Sequence, residues 1–157
     1  MEKFNFNDGG RKDAGYKGQT GDCVVRAIAI ATGKPYQEVY DAMNTLSKEQ
    51  KLGYRKVKTK YGTSYEKVSA SRTGVVKKVY DKYLKELGYE WKATMGIGTG
   101  CRVHLLKEEL PTGRIIASLS RHLVAVIDGT VNDTHDCSRD GKRCVYGYYK
   151  LNVANPI

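Results

Sequence analysis

The sequence predicts an α+β fold in which helices come first and an antiparallel sheet second. Three observations predict it. Apolar residues recur at helical spacing in three stretches, 22–33, about 35–46 and 74–87. From Tyr89 onward the apolar runs become short and rich in β-branched and aromatic residues. Asp128-Gly129 separates two of those runs and is a strong two-residue hairpin signal. Helices followed by strands pack as segregated layers, so a buried helix is expected against the sheet.

The elements follow in order. Residues 1–21 are polar and glycine-rich and read as an irregular arm. Residues 22–33 read as a helix, with Asp22 as its N-cap and Gly33 as its C′ stop. That helix is apolar nearly all round except for Arg26, so it is expected to be central and buried. After Lys34-Pro35, the residues Tyr36, Val39, Tyr40, Met43 and Leu46 predict an amphipathic helix over about 35–46. Residues 47–72 show no clear period and read as a long, basic, mobile loop. Thr73 is a candidate cap for a third helix over 74–87, closed by Gly88. Strands are expected at 102–106, 115–120, 122–127, 130–134 and 145–151.

The chain has 157 residues, which fits one domain spanning 1–157. Hydrophobic residues are 40% and charged residues 28%, a globular rather than a disordered balance. The apolar runs are too short for a membrane span, so no membrane partner is expected. Met1-Glu2-Lys3-Phe4 opens directly into polar residues, with no secretory signal, and a cytosolic protein is expected. The four cysteines, at 23, 101, 137 and 144, are then expected to be thiols. Net charge is +10, and residues 47–92 carry eight of it, with 13 Lys or Arg against 5 Asp or Glu. That segment suits an anionic partner.

The chemistry-bearing residues lie in both halves. Cys23 stands at the first position of the buried helix, where the helix N-terminus favours the thiolate. Gln19, four residues earlier, is a candidate oxyanion donor. His122 opens a strand and is a candidate base. If Asp128-Gly129 is a two-residue turn, Ile127 pairs with Thr130, Val126 with Val131 and Ala125 with Asn132. Alternation then sets Asp133 on the face of His122 and Asn132 on the opposite face, so Asp133 is the group that orients the imidazole. A β-bulge would reverse that choice. The same register sets His135 across from His122 and leaves it as a rival base.

The stretches Gly18-Gln19-Thr20-Gly21-Asp22-Cys23-Val24-Val25-Arg26-Ala27 and Ser120-Arg121-His122-Leu123-Val124-Ala125-Val126-Ile127-Asp128-Gly129 carry a resemblance. The order Gln, Cys at a helix start, His at a strand start, and Asp on the next strand resembles the papain-like cysteine peptidases. It looks most like their compact bacterial and phage members, such as the double-glycine peptidases that process bacteriocins, and like phage-encoded proteins of this type with no assigned function. The resemblance implies a papain-like fold and a thiol hydrolase, without cofactor, that cleaves a peptide or isopeptide bond through an acyl-enzyme. Cys23 would be the nucleophile, His122 the general base and acid, and Asp133 its orienter. Gln19 would bind the oxyanion together with the backbone N–H of Cys23. The same machinery could serve acyl transfer, as in transglutaminase-like enzymes. A non-enzymatic protein that binds nucleic acid or another partner through the basic segment is the alternative of a different class.

Other motifs are weaker. Cys101, His104, His135, Cys137 and Cys144 are zinc-ligand types, but their spacing is that of no zinc knuckle or ribbon, so no metal is expected. A Cys137–Cys144 disulfide is likewise not expected. Gly96-Ile97-Gly98-Thr99-Gly100 lacks the spacing of a phosphate loop and reads as a flexible loop bordering the cleft.

Overall fold

The computed structural model describes residues 4–18 and 20–151. Helix α1, Cys23–Thr32, is built of Val, Ile and Ala around one arginine, and every residue from 24 to 31 is buried. Gly33 closes it in the left-handed conformation, φ 75°, which only a residue without a Cβ adopts cheaply; its N–H donates to Ala29 O. Asp22 holds the N-cap position, yet its side chain caps no helix N–H. Its carboxylate is engaged by Arg26 and Tyr36 instead, so a tertiary demand overrides the local rule. Helix α2, Tyr36–Glu49, buries Tyr36, Val39, Met43 and Ser47 and runs beyond the expected end. Helix α3, Lys77–Glu86, starts later than expected. Thr73 does not cap it: Ala70 and Gly74 exchange backbone hydrogen bonds of 2.9 Å, and this closed turn holds Thr73 outside the helix.

The strands are β1 Phe4–Phe6, β2 Tyr54–Thr59, β3 Gly62–Lys67, β4 Tyr89–Ala93, β5 Val103–His104, β6 Arg114–Leu119, β7 His122–Ile127, β8 Thr130–Asp133, β9 Cys144–Val145 and β10 Gly147–Leu151. Six of them form one sheet in the order β1-β8-β7-β6-β10-β4. All neighbours are antiparallel except β1, which runs parallel to β8. β1 corrects the reading of the first 21 residues as wholly irregular; a three-residue edge strand carries too little alternation to be seen in sequence. The α+β class therefore holds, with α1 packed across the sheet. Ile116, Leu123, Ala125 and Tyr149 face the helices. Ile115, Ala117, Val124, Val126 and Val131 face a second core closed by Leu105, Leu110, Cys137 and Val145. Burial of both faces explains why 115–117 in β6 and 123–127 in β7 are continuous apolar runs rather than alternating. No helix among the described residues is long and apolar enough to cross a membrane.

The expected strand 145–151 breaks at Tyr146. β9 pairs with β5, and β10 continues in the main sheet. Gly147 opens β10 where the backbone passes under Trp91. A Cβ there would lie 2.8 Å from Lys92 O and would overlap the Trp91 ring. Gly147→Ala is therefore expected to cost about 1–3 kcal/mol through overpacking; an unchanged denaturation midpoint would contradict the packing described.

Two further expectations are corrected. Residues 54–67 are a β-hairpin rather than a loop, with Thr59 paired to Gly62 around Lys60-Tyr61. Both faces of this ribbon are largely exposed, so no apolar alternation marks it, and its turn lacks the usual Asn-Gly or Asp-Gly. Cys101 and Cys144 form a disulfide across 43 residues, with Cα atoms 5.8 Å apart, whereas Cys23 and Cys137 are free. Cys144 lies in the β5–β9 ladder, and only that long-range pairing brings Cys101 within bridging distance.

Candidate active site

The chain enters α1 through a docked segment. Thr20 Oγ1 donates to Arg72 O at 2.5 Å, and Gly21 N donates to the same carbonyl at 2.8 Å. A Cβ on Gly21 would stand 3.0 Å from Thr73 O, so this approach favours glycine. The 70–74 turn thus fixes where Cys23, the first residue of α1, sits. His122 opens β7 after the tight Ser120-Arg121 turn, in which Arg121 is left-handed at φ 55°. Arg143 Nη2 donates to Ser120 O at 2.6 Å and braces that turn.

Asp133 ends β8. The β7–β8 ladder has the expected register, Ile127 with Thr130, Val126 with Val131 and Ala125 with Asn132. Asp128 and Gly129 take φ 50° and 81°, as a type I′ turn requires. His122 Nε2 then lies 2.6 Å from Asp133 Oδ2. Asn132 is occupied elsewhere: its Oδ1 accepts from Asn5 Nδ2 at 2.7 Å and its Nδ2 donates to Thr130 O. The carboxylate beside the imidazole is therefore that of Asp133.

The electrostatics join these groups to Cys23. Burial pushes the Cys23 thiol up, but a hydrogen bond from His122, the charge of that ring, the Leu123 N–H and Arg26 outweigh it, and the net shift is downward. Burial disfavours the His122 imidazolium, yet hydrogen bonds with Asp133, Cys137 and Cys23 raise its pKa to about 11. Burial raises Asp133, and its bond to His122, the Thr134 N–H and Arg26 bring it down to about 2. These directions favour the charged form of each group: a thiolate, an imidazolium and a carboxylate.

Arg26 is the member that sequence reasoning did not assign. Its Nη1 donates to Asp22 Oδ1 and its Nη2 to Asp133 Oδ1 at 3.1 Å, with the side chain about 9% exposed. Tyr36 Oη donates to Asp22 Oδ2 at 2.5 Å, and Arg11 Nε lies 3.5 Å from the same oxygen. One guanidinium thus ties the start of α1 to the carboxylate beside the imidazole. The signal was present in the sequence, as the single charge in an otherwise apolar buried helix. Cys137 was also missed as a neighbour of His122; it is buried, 3% exposed.

Cys23 and His122 open onto a cleft of about 530 Å3 that Lys77, Tyr80, Arg121 and His135 also line. Among the described residues no Asp or Glu lines it. Burial and the charges of Cys23 and Asp81 push Tyr80 up to about 12, so it is a neutral phenol in the cleft lining. The Gly96–Gly100 loop, expected at the cleft, is not among its lining residues. His135 is exposed at the rim, with its ring centroid 5.6 Å from that of His122 and its Nδ1 3.4 Å from Thr134 Oγ1. Gln19 lies outside the described residues.

His122, Asp133 and His135 offer ligand atoms within 4.8 Å of one another. Asp133 is already shared, Oδ2 with His122 and Oδ1 with Arg26 and the Thr134 N–H. A cation would compete with the Arg26 guanidinium for this carboxylate, so the donor set fits an oriented imidazole better than a metal ion. No protein-family model, curated protein or solved structure matches the chain.

Proposed function

We propose that the protein is a papain-like cysteine hydrolase that cleaves a peptide or isopeptide bond through an acyl-enzyme on Cys23. The observation that carries this reading is the contact of His122 with both Cys23 and Asp133, the latter at 2.6 Å, at the N-terminus of a buried helix. The Cys23 thiolate attacks the carbonyl carbon, and the oxyanion is met by the backbone N–H of Cys23, with Gln19 as the second donor that the resemblance implies. The imidazolium of His122 gives its proton to the leaving nitrogen as the C–N bond breaks. A water molecule then loses a proton to the neutral imidazole and attacks the thioester, which releases the acid and restores the thiolate. Asp133 holds the ring and stabilises its charged form. His122 rather than His135 is the base, because among the described residues it is His122 whose ring is hydrogen-bonded to Asp133, whereas the His135 ring meets Thr134. Lys77 and Arg121, with no acid in the lining, favour an acidic residue beside the scissile bond.

The test is mass-spectrometric. An activated acyl ester should leave one acyl group on Cys23 and none on Cys137, and the adduct should turn over in water. Acylation at Cys137 in place of Cys23 would sink the nucleophile assignment. A peptide library should then yield new termini next to Asp or Glu with the wild type and none with Cys23→Ala. New amide cross-links to an added amine, without new termini, would assign acyl transfer instead.

A further inference from the structure

We propose that the β2–β3 hairpin and the cavity at its base form a binding track for single-stranded nucleic acid. The inference is independent of the Cys23 site. In an antiparallel ribbon, residues directly opposite share a face. The ladder pairs Tyr54 with Lys67, Lys56 with Tyr65 and Lys58 with Thr63, so one face carries three lysines and two tyrosines and no acid. The other face holds the half-buried Val57 and the Arg55–Glu66 ion pair at 2.7 Å, which neutralises the one carboxylate of the ribbon. The ribbon therefore has a basic aromatic face and a neutral one.

The aromatic rings on that face are not core residues. Tyr54 is 66% and Tyr65 67% exposed, and Tyr61 at the tip is 91% exposed. None of Lys48, Lys51, Lys56, Lys58 or Lys67 has an ion-pair partner among the described residues. The face also leads somewhere. Its first pair, Tyr54 and Lys67, lines a second cavity of about 530 Å3, to which Lys48 and Lys51 add two more charges and Asn44 and Ser47 polar side chains. Among the described residues no Asp or Glu lines this cavity. A basic path thus runs from the cavity along the ribbon, with flat rings between the charges.

That combination selects the occupant. Lysines at alternate positions suit successive phosphates, and free tyrosine faces suit unstacked bases. An acidic peptide would satisfy the lysines but leave the rings without a role. A duplex would keep its bases stacked internally and closed to the tyrosines.

The test is fluorescence anisotropy on the full chain with labelled oligo-dT, oligo-U, a duplex of equal length and polyglutamate as competitor, over a range of salt. Binding of the single strands should weaken steeply with salt. Lys56→Glu, Lys58→Glu and Lys67→Glu should each weaken it and lower the salt slope by about one. Tyr54→Ala and Tyr65→Ala should each weaken it roughly fivefold or more at fixed salt, with the slope kept. Lys82→Glu and Lys92→Glu, equal charge changes outside the track, should leave affinity nearly unchanged, and circular dichroism should report the same fold for all variants. Oligo-dT and oligo-U arms distinguish DNA from RNA within the proposal. No binding at low salt, equal losses in the control variants, tighter binding of the duplex, or displacement by polyglutamate at equal charge would each overturn it.

Discussion

Replacing His122 with Ala is expected to slow alkylation of Cys23 by iodoacetamide at pH 6 by about 10- to 100-fold. The reactive species is the thiolate. With a lowered pKa, the Cys23 thiolate persists below the ordinary thiol range and is lost only as pH falls through that lowered value. Without His122 only the Leu123 N–H and Arg26 remain against the desolvation of the site, and the thiolate is lost as pH falls through a higher value than in the wild type. The rate of the wild type should thus begin to fall at a lower pH than that of the variant. Asp133→Asn should lie between the two, because the ring keeps a hydrogen-bonding neighbour but loses the negative charge that raises its pKa. Stability should separate the same variants. Asp133 is lowered from 3.8 to about 2, so its contribution is present above 3.8 and is lost as pH falls through about 2. Acid unfolding of the wild type should carry that step and Asp133→Asn should lack it. A rate profile for His122→Ala that overlays the wild type would show that the imidazole does not activate the thiol.

Arg26→Leu is expected to cost about 3–5 kcal/mol, measured as the shift in urea midpoint at constant slope. The leucine fills the volume but leaves Asp22, 1% exposed, and Asp133, 3% exposed, without the guanidinium between them. Removing one partner of a buried ion pair leaves uncompensated charge, and a loss of this size is a large share of the roughly 5–15 kcal/mol that holds a domain folded. Arg26→Lys should recover only a part, since one ammonium cannot span both carboxylates as the two Nη groups do. Adding Asp22→Asn to Arg26→Leu should recover some stability, because one of the two buried charges is gone. A midpoint for Arg26→Leu within about 0.5 kcal/mol of the wild type, the range of an ordinary surface change, would mean that the network does not hold the site together.

Particular residues show how far the sequence could be read. The stop of α1 at Gly33 and the register of the β7–β8 hairpin were legible because each depends on a few neighbouring residues: a left-handed glycine, and Asp128-Gly129 with its φ values of 50° and 81°. The choice of Asp133 over Asn132 followed from that register alone. The β2–β3 hairpin was not legible, because charge on both of its faces erases the alternation that marks a strand. Asp22 reads locally as a helix cap, but its carboxylate turns to Arg26 and Tyr36, which approach it from its own helix and from α2.

By itself, then, the sequence determined what local stereochemistry and periodicity govern: the α+β class, the helix whose first residue is Cys23, the strand that His122 opens, and the turn that brings Asp133 back toward it. Only the tertiary structure decided that β1 pairs with β8, that Cys101 meets Cys144, that Arg26 bridges two buried carboxylates, and that the basic segment stands out as a ribbon with one aromatic face. The first three rest on residues distant in sequence or on one polar group shared among several elements, and the ribbon rests on strand pairing that no apolar alternation marks. The β1–β8 pairing, the disulfide and the Arg26–Asp133 contact are set by the packing of the whole chain, and no short window of sequence contains both partners.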